Sequence, residues 1–393
     1  MRVLETRFDV VVVGGGPAGL AFSLALAGSS LRVAIVERQP LAALTDPIDD
    51  GREIALTHRS RATLERLGAW ARIDPASVSP MLEARVLNGT STFALSFASD
   101  GRADRLGQLV ANRRIRRALY QGVAEAPNLR VIAGASVVDI AADAAGATVT
   151  LGDGRRLGAR LLVAADARLS TTRERLGIGA QVLRPDQSLL VARVAHPRDH
   201  GNAATEWFGH GQSIAMLPLV GRRSSAVLTM TTAEITRIAA LPAAALGAEL
   251  TRRYEGRLGA MTVEEGPHVY PLVVSYAHHF AATRAGLIGD AAVGMHPVTA
   301  HGFNLGLQGA TALAALVGDA ARRDGDIGGS ILLRRDEAAH RLATGPLYAA
   351  TNAIVGLYMQ EGPVARLARF ATLRAGARLP FVRRAVADLL MQR

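Results

Sequence analysis

Cysteine and lysine are both missing from this 393-residue chain. The first absence excludes disulfides, thiolate-ligated metals and a redox cysteine pair, and it fits a reducing compartment. The second makes all 45 basic residues arginine and removes any activity that depends on a lysine amine. Such enrichment in arginine and alanine reflects coding bias, so the formal charge of +11 is not read as a nucleic-acid surface. Aromatics for base stacking amount to only 4%, and no RNA- or DNA-reading motif is present. Neither HExxH nor a nucleophile elbow occurs, and adjacent His278 and His279 would face opposite sides of a strand, so no metal or triad chemistry is expected. The longest apolar stretch, Val10 to Gly28, has Asp9 before it and Gly14-Gly-Gly-Pro17 inside it, which argues against a signal segment or a membrane span.

What the chain does have begins at that stretch. Phe8 to Val13 is a run of mostly β-branched residues, the composition of a buried parallel strand, and it feeds into Gly14-x-Gly16-Pro17-Ala18-Gly19 and then an alanine-rich segment suited to a helix. Gly14 permits the turn, Gly16 lets a pyrophosphate approach helix N-terminal N–H groups, and Gly19 allows close packing of helix on strand. Arg32 to Val36 reads as the next strand. Glu37 ends it, where a carboxylate would hold a ribose diol and repel a 2′-phosphate, and Arg38 follows. A glycine-rich structural turn is the plainer alternative. Far downstream, Leu287-Ile288 reads as a short strand leading to Gly289-Asp290, and His296-Pro297 runs into Gly302-Phe303-Asn304-Leu-Gly306 and a helix reaching Leu316. Asp290 can accept from ribityl hydroxyls, and the helix start would favour an anionic reduced isoalloxazine. An ordinary N-cap aspartate is the alternative there.

Taken with Gly51-Arg52-Glu53-Ile-Ala-Leu-Thr57, Leu161-Leu-Val-Ala-Ala-Asp166, Ala215-Met-Leu-Pro-Leu219 and Tyr270-Pro-Leu272, these segments resemble the class A flavoprotein monooxygenases. Within that group the chain is similar to the ubiquinone-biosynthesis hydroxylases over nearly its full length, and Gly51 to Ser60 is most like the 5-demethoxyubiquinol hydroxylase branch. The resemblance implies an α/β fold of the p-hydroxybenzoate hydroxylase type: a Rossmann-like FAD-binding domain, an inserted antiparallel-sheet substrate domain and C-terminal helices. It implies FAD as cofactor and NAD(P)H as reductant, with hydroxylation of the aromatic ring of a polyprenylated phenol by O2 through a flavin C4a-hydroperoxide, most similar to 5-demethoxyubiquinol 5-hydroxylation. On this resemblance Gly14, Gly16, Pro17, Ala18 and Gly19 contact the pyrophosphate, Glu37 and Arg38 lie at the adenosine, and Gly289 and Asp290 hold the ribityl chain. Arg52, Gln108, Arg113 and Asp166 line the FAD, while Pro297, Gly302, Phe303 and Asn304 lie against the flavin ring. The chemistry is borne by the flavin, so no side chain need be a nucleophile. The missing lysine and cysteines also set aside flavin-dependent halogenases and flavoprotein disulfide reductases.

Three positions depart from that family. Asp166-Ala167 replaces Asp-Gly, which bears on backbone geometry near FAD and reductant. Ala300-His301-Gly302 replaces Gly-Gln-Gly, where His301 is either part of the ring environment or an incidental loop residue. Gly309 stands where aspartate is frequent.

The chain divides once and returns. Residues 1–180 and 277–330 are expected to form the FAD-binding domain, with a helix over Gln108 to Glu125 and short strands from Leu129 to Ala164. Residues 181–276 are expected to form the substrate domain, with a helix over Pro242 to Leu258, and 331–393 a C-terminal helical region. Trp207, Phe208 and Met216 are candidates either for substrate contact or for sheet core. From Pro363 to Arg393 there are seven arginines against Asp388 alone, interleaved with apolar residues. That segment is read as helices packed on the flavin domain or as a basic face resting on anionic lipid or on partner biosynthetic proteins. A cytoplasmic enzyme touching the inner membrane face is expected. The alternatives are a soluble aromatic hydroxylase or prenyl reductase on the same fold, and a non-catalytic scaffold of a quinone-synthesis assembly.

Overall fold

The computed structural model describes residues 5–89, 94–98, 105–209, 211–297 and 301–359; the basic segment 363–393 and Ala300 lie outside them. Phe8 to Val13 lies inside the strand Glu5–Val13, which pairs in parallel with Arg156–Ala164 on one side and Val33–Glu37 on the other. Leu129–Ala133 and Ala285–Leu287 extend the parallel array at its two flanks within an eight-stranded mixed sheet. Alternation assigns the two faces. Val10 and Val12 pack with Leu20, Phe22, Ile115, Leu119, Leu313 and Val317, residues of three helices, Pro17–Ala25, Asn112–Glu125 and Gly302–Arg322. Val11 and Val13 pack on the other face with Val149, Leu151 and Leu157. Each fully buried Val or Leu contributes roughly 1.5–3 kcal/mol of transfer free energy, so this double-sided strand is the mechanical centre of the fold. The α/β class and the helical covering agree with expectation.

The second sheet has seven strands, in the order Thr262–Pro271, Gln187–Ala195, Arg223–Thr231, Gln212–Leu219, Ala203–Gly209, Glu83–Asn88 and Ala94–Ala98. It is therefore not confined to 181–276: two strands from the amino-terminal third complete one edge, the first of them parallel to Ala203–Gly209. Helices Thr232–Ala239 and Ala243–Arg253 cover one face. The second is shorter than the expected span to Leu258, and Pro242 is its N-cap. Trp207, Ile214, Met216, Leu228, Leu246 and Leu250 form the core beneath them. Trp207 and Met216 thus belong to the helix-covered side, whereas Phe208 points to the opposite, inner face by the two-residue period.

Gln108 corrects the sequence reading. It belongs to a strand, Gly107–Ala111, and the helix begins only at Asn112. All five strand residues are buried, between Glu53–Leu56 and Ser79–Met81; two-sided pairing of an apolar run overrides its continuity with the helical pattern that follows. A long helix, Ser330–Met359, crosses against Gly302–Arg322 and against strand Ala203–Gly209. Among the described residues, no helix is long and apolar enough to cross a membrane.

Candidate functional site

Four strand ends lie side by side at the carboxyl edge of the parallel sheet. Gly14 N–H donates to Val36 O (2.8 Å), Ala165 N–H to Val13 O (2.8 Å) and Ile288 N–H to Ala164 O (2.9 Å). The glycine turn, Glu37, Asp166 and Gly289-Asp290 are thereby gathered around one crevice, although they come from opposite ends of the chain. The approach is close enough to require glycine. Gly14 has φ +113°, and a Cβ there would sit 2.4 Å from Ala165 O; one on Gly289 would sit 2.7 Å from the methyl of Ala18. A Cβ on Gly16 would meet no other part of the chain within 4 Å. Helix Pro17–Ala25 begins there with Pro17 in its first turn and no side-chain cap on Gly16, so its amino end opens onto space. Gly19 is buried within the helix.

Glu37 faces the turn from the next strand. Its carboxylate accepts from Gly15 N–H at 2.6 Å and from Gln39 N–H at 2.7 Å, which fixes it beneath the loop. Arg38 is exposed beside it. Arg116 was not singled out from sequence. Burial lowers its pKa, opposed by the negative charges of Asp50 and Glu37, and its Nε is buried without a hydrogen-bond partner among the described residues. One more arginine in an arginine-rich helix gave no signal; only the fold turns it inward.

Across the crevice, Asp166 accepts from the Ser170 hydroxyl and from Thr172 N–H. Ala167 holds φ +96°, so the chain keeps a backbone conformation suited to glycine without having one. The next residue, Arg168, donates from Nε to Asp290 Oδ2 at 2.8 Å, and its NH1 reaches Val273 O. Buried Arg173 bridges Arg168 O and Ala291 O. These two arginines tie the Asp166 turn to the Asp290 segment. Asp290 remains about a third exposed, so its carboxylate can also accept from a bound hydroxyl.

The small sheet closes the remaining side. Asn304, in the first turn of Gly302–Arg322, donates to Ala55 O (2.8 Å) and accepts from Thr57 N–H (3.2 Å), clamping that helix end to strand Glu53–Leu56. Gln108 lies opposite Leu56, beside a cavity of about 240 Å³, and its Oε1 is buried without a hydrogen-bond partner among the described residues. Arg52 donates to Asp50 through Nε and lies 5.7 Å above the Tyr270 ring, whose hydroxyl donates to Asp50 O. Burial opposes ionisation of Asp50, but Arg52 and Asn112 outweigh it and hold the carboxyl below its ordinary range. Arg113 is ion-paired with Asp49 at 2.7 Å. Phe303 packs on the core beneath the helices, His301 is buried at the helix start, Gly302 opens the helix, and Pro297 is exposed at the end of the preceding segment.

These features fit an extended dinucleotide. The uncapped helix end over Gly16 suits a diphosphate, the carboxylates of Glu37 and Asp290 suit hydroxyl-bearing arms on either side, and buried, unpartnered Gln108 Oε1 and Arg116 Nε suit a polar ligand that supplies their bonds. Among the described residues no cluster could hold a metal ion.

The family described as FAD binding domain matches residues 7–344. Ubiquinone hydroxylase UbiM of Neisseria meningitidis is 42% identical over 98% of this chain and 85% of that protein, and ubiquinone hydroxylase UbiL of Rhodospirillum rubrum is 34% identical over 92% and 84%. The 3-demethoxyubiquinol 3-hydroxylase of Escherichia coli is 26% identical over 78% of each chain. Among solved structures, p-nitrophenol 4-monooxygenase from Pseudomonas putida superposes with a TM-score of 0.79 at 20% identity over 99% of each chain, a likeness of fold.

Proposed function

The chain belongs to the FAD-binding-domain family of flavin monooxygenases that includes the ubiquinone hydroxylases, and from that premise we propose that it hydroxylates the aromatic ring of a polyprenylated ubiquinone precursor. Bound FAD, reduced by NAD(P)H, supplies the oxygen-activating chemistry. The protein's part is to hold, orient and shield. In this reading the turn Gly14 to Gly19 and the helix end behind it carry the diphosphate, Glu37 carries the adenosine ribose and Asp290 the ribityl hydroxyls, with Arg168 fixing the Asp290 carboxylate. Gln108, Arg52 and Asn304 line the side toward the substrate sheet. Asn304 acts indirectly, by fixing the start of Gly302–Arg322 so that its positive end stays aimed into the crevice.

The observation that carries the proposal is the meeting of Gly14, Glu37, Asp166 and Asp290 at one sheet edge, next to a second sheet whose inner face is largely apolar and in part open. Hydroxylation at the demethoxyubiquinol stage is the finer assignment, and rest of the 363–393 segment on anionic lipid would suit a polyprenyl substrate. Deleting the gene and profiling quinones tests both substrate and ring position, because the intermediate that accumulates names the missing hydroxyl. Assay of purified protein under 18O2 separates this reading from a prenyl reductase, which incorporates no isotope. A protein that neither retains nor binds FAD would instead support a scaffold role; the positive φ at Ala167 argues against that role, since the turn keeps its glycine-like shape.

A further inference from the structure

Toward strand Ala203–Gly209 the inner face of the seven-stranded sheet carries one carboxylate, Glu206, in an apolar setting. On strand Ala203–Gly209 the side chains of Ala204, Glu206 and Phe208 alternate away from Trp207 and its helix-covered core. Ala215 lies directly opposite Glu206, and Ser213 opposite Phe208. Val86, on the other flanking strand, is also in register with Glu206. Ser213 donates its hydroxyl to Glu206 Oε1.

What lies over this face is the flavin side of the molecule. Leu189 and Val227 pack with Val293, Met295 and Leu305, the residues that bracket His296-Pro297 and the start of Gly302–Arg322. Strand Gln212–Leu219 packs against Gly107–Ala111, which carries Gln108. Toward the opposite edge, Met81, Phe97 and Leu106 form a small apolar cluster that Val86 and Ala204 join. Even so, Ala204, Glu206, Ala215, Leu217 and Val227 each stay part-exposed, so the covering elements do not close onto them. A strip of small and branched apolar side chains with one oriented carboxylate suits a ligand that is hydrocarbon apart from a hydrogen-bond donor.

Burial pushes the Glu206 carboxyl up to about 7, against the opposing pull of Ser213. Among the described residues no ion pair reaches it. The other ionisable groups on this face are Arg193, which holds Glu53 and Glu265 three strands away, and His268 and Tyr270 on the edge strand, in register with Val191 and Leu189; among the described residues of the covering helix Ser330–Met359 the buried ionisable groups are Asp336, His340 and Tyr348.

We propose that Glu206 recognises the ring hydroxyl of the phenolic substrate, accepting its hydrogen bond and then its proton. The O–H bond breaks, a carboxyl O–H forms on Glu206, and the electron pair stays on the ring oxygen, where it enriches the carbons ortho and para to it. When the hydroxylated ring regains aromaticity by losing its C–H proton to water, Glu206 returns its own proton to the ring oxygen. Ser213 is a positioning residue that fixes the carboxylate rotamer. The inference rests on the ring-hydroxylase reading and deepens it.

The test uses full-length enzyme loaded with FAD, 2-farnesylphenol and its O-methyl ether as probes, and 18O2. Wild type is expected to oxygenate the phenol and to bind it at least tenfold more tightly than the ether, by perturbation of the flavin absorbance. Glu206→Gln is expected to keep its FAD, lose about a hundredfold in kcat/KM and bind phenol and ether alike. Glu206→Asp is expected to recover part of both. Should Glu206→Gln fail to fold, Ser213→Ala gives the reading instead, with an expected loss of several-fold in phenol-over-ether preference at unchanged FAD content. Wild-type kcat/KM and preference in Glu206→Gln, or wild-type preference in Ser213→Ala, would overturn the assignment while leaving the hydroxylase reading intact. No oxygenation of any phenol by wild type would remove both.

Discussion

Ala167→Gly should stabilise this protein, contrary to the usual effect of introducing glycine. Ala167 holds φ +96°, where a Cβ meets its own backbone, at a cost of about 1–3 kcal/mol for a non-glycine residue. Its side chain is exposed, so removing the methyl forfeits no core packing. Against the relief stands the greater freedom of glycine in the unfolded chain, about 0.4–1 kcal/mol. The balance favours the variant by roughly 0.5–2 kcal/mol, which for a chain of this size is a rise in Tm of about 0.5–2.5 °C. Thermal unfolding followed by protein and flavin fluorescence reads it directly. The reasoning also fixes an order: Ala167→Val should fall below wild type, because a β-branched side chain meets the same backbone more severely. A fall in Tm for Ala167→Gly, or a Val variant as stable as wild type, would show that the turn does not hold the positive φ.

Three further outcomes follow from particular contacts. A Cβ on Gly309 would lie 2.3 Å from His340 Cε1, so Gly309→Ala should cost about 1–3 kcal/mol in denaturant unfolding and His340→Ala in the same chain should recover most of it; additive losses would contradict the contact. Burial, with Glu337 alongside, raises the Asp336 carboxyl to about 7. Its folded pKa then exceeds its unfolded value near 3.8, so the native state holds a proton the unfolded state has lost, and stability must fall as pH rises from about 4 to 7. Asp336→Asn should flatten that slope and be more stable than wild type at pH 8, by about 2–4 kcal/mol; an unchanged urea midpoint at pH 8 would refute it. Finally, Asp290→Ala should be purified with little FAD, read from the ratio of flavin to protein absorbance, and full occupancy would remove Asp290 from the site.

How far the sequence could be read depends on whether a residue's role is local. The turn at Gly14, the strand before it and the acid at Glu37 are short-range features, fixed by what a strand, a tight turn and a helix start each demand, and they stand where the spacing puts them. Gln108 shows the first limit. An apolar run followed without a break by a helical pattern has no boundary in its composition, and only the pairing of Gly107–Ala111 between two other strands makes it a strand. The strands of 83–98 show the second, since joining a sheet built mainly from residues a hundred positions later is a matter of topology.

The departures from the family's usual residues become intelligible only as pairs. Gly309 leaves room that the ring of His340 fills from another helix, with Phe280 edge-on at 5.2 Å, so the missing aspartate and the buried histidine are one packing solution. Burial lowers His340 to about 4, which keeps its imidazole neutral, and raises Asp336, one turn away on the same helix face, to about 7, which holds back its ionisation. Charging His340 would strand an ion against Gly309 of Gly302–Arg322, the helix whose first turn Asn304 clamps to the small sheet. The seat of that helix thus includes a neutral imidazole buried on the helix beside it, which no motif in the linear chain could have indicated.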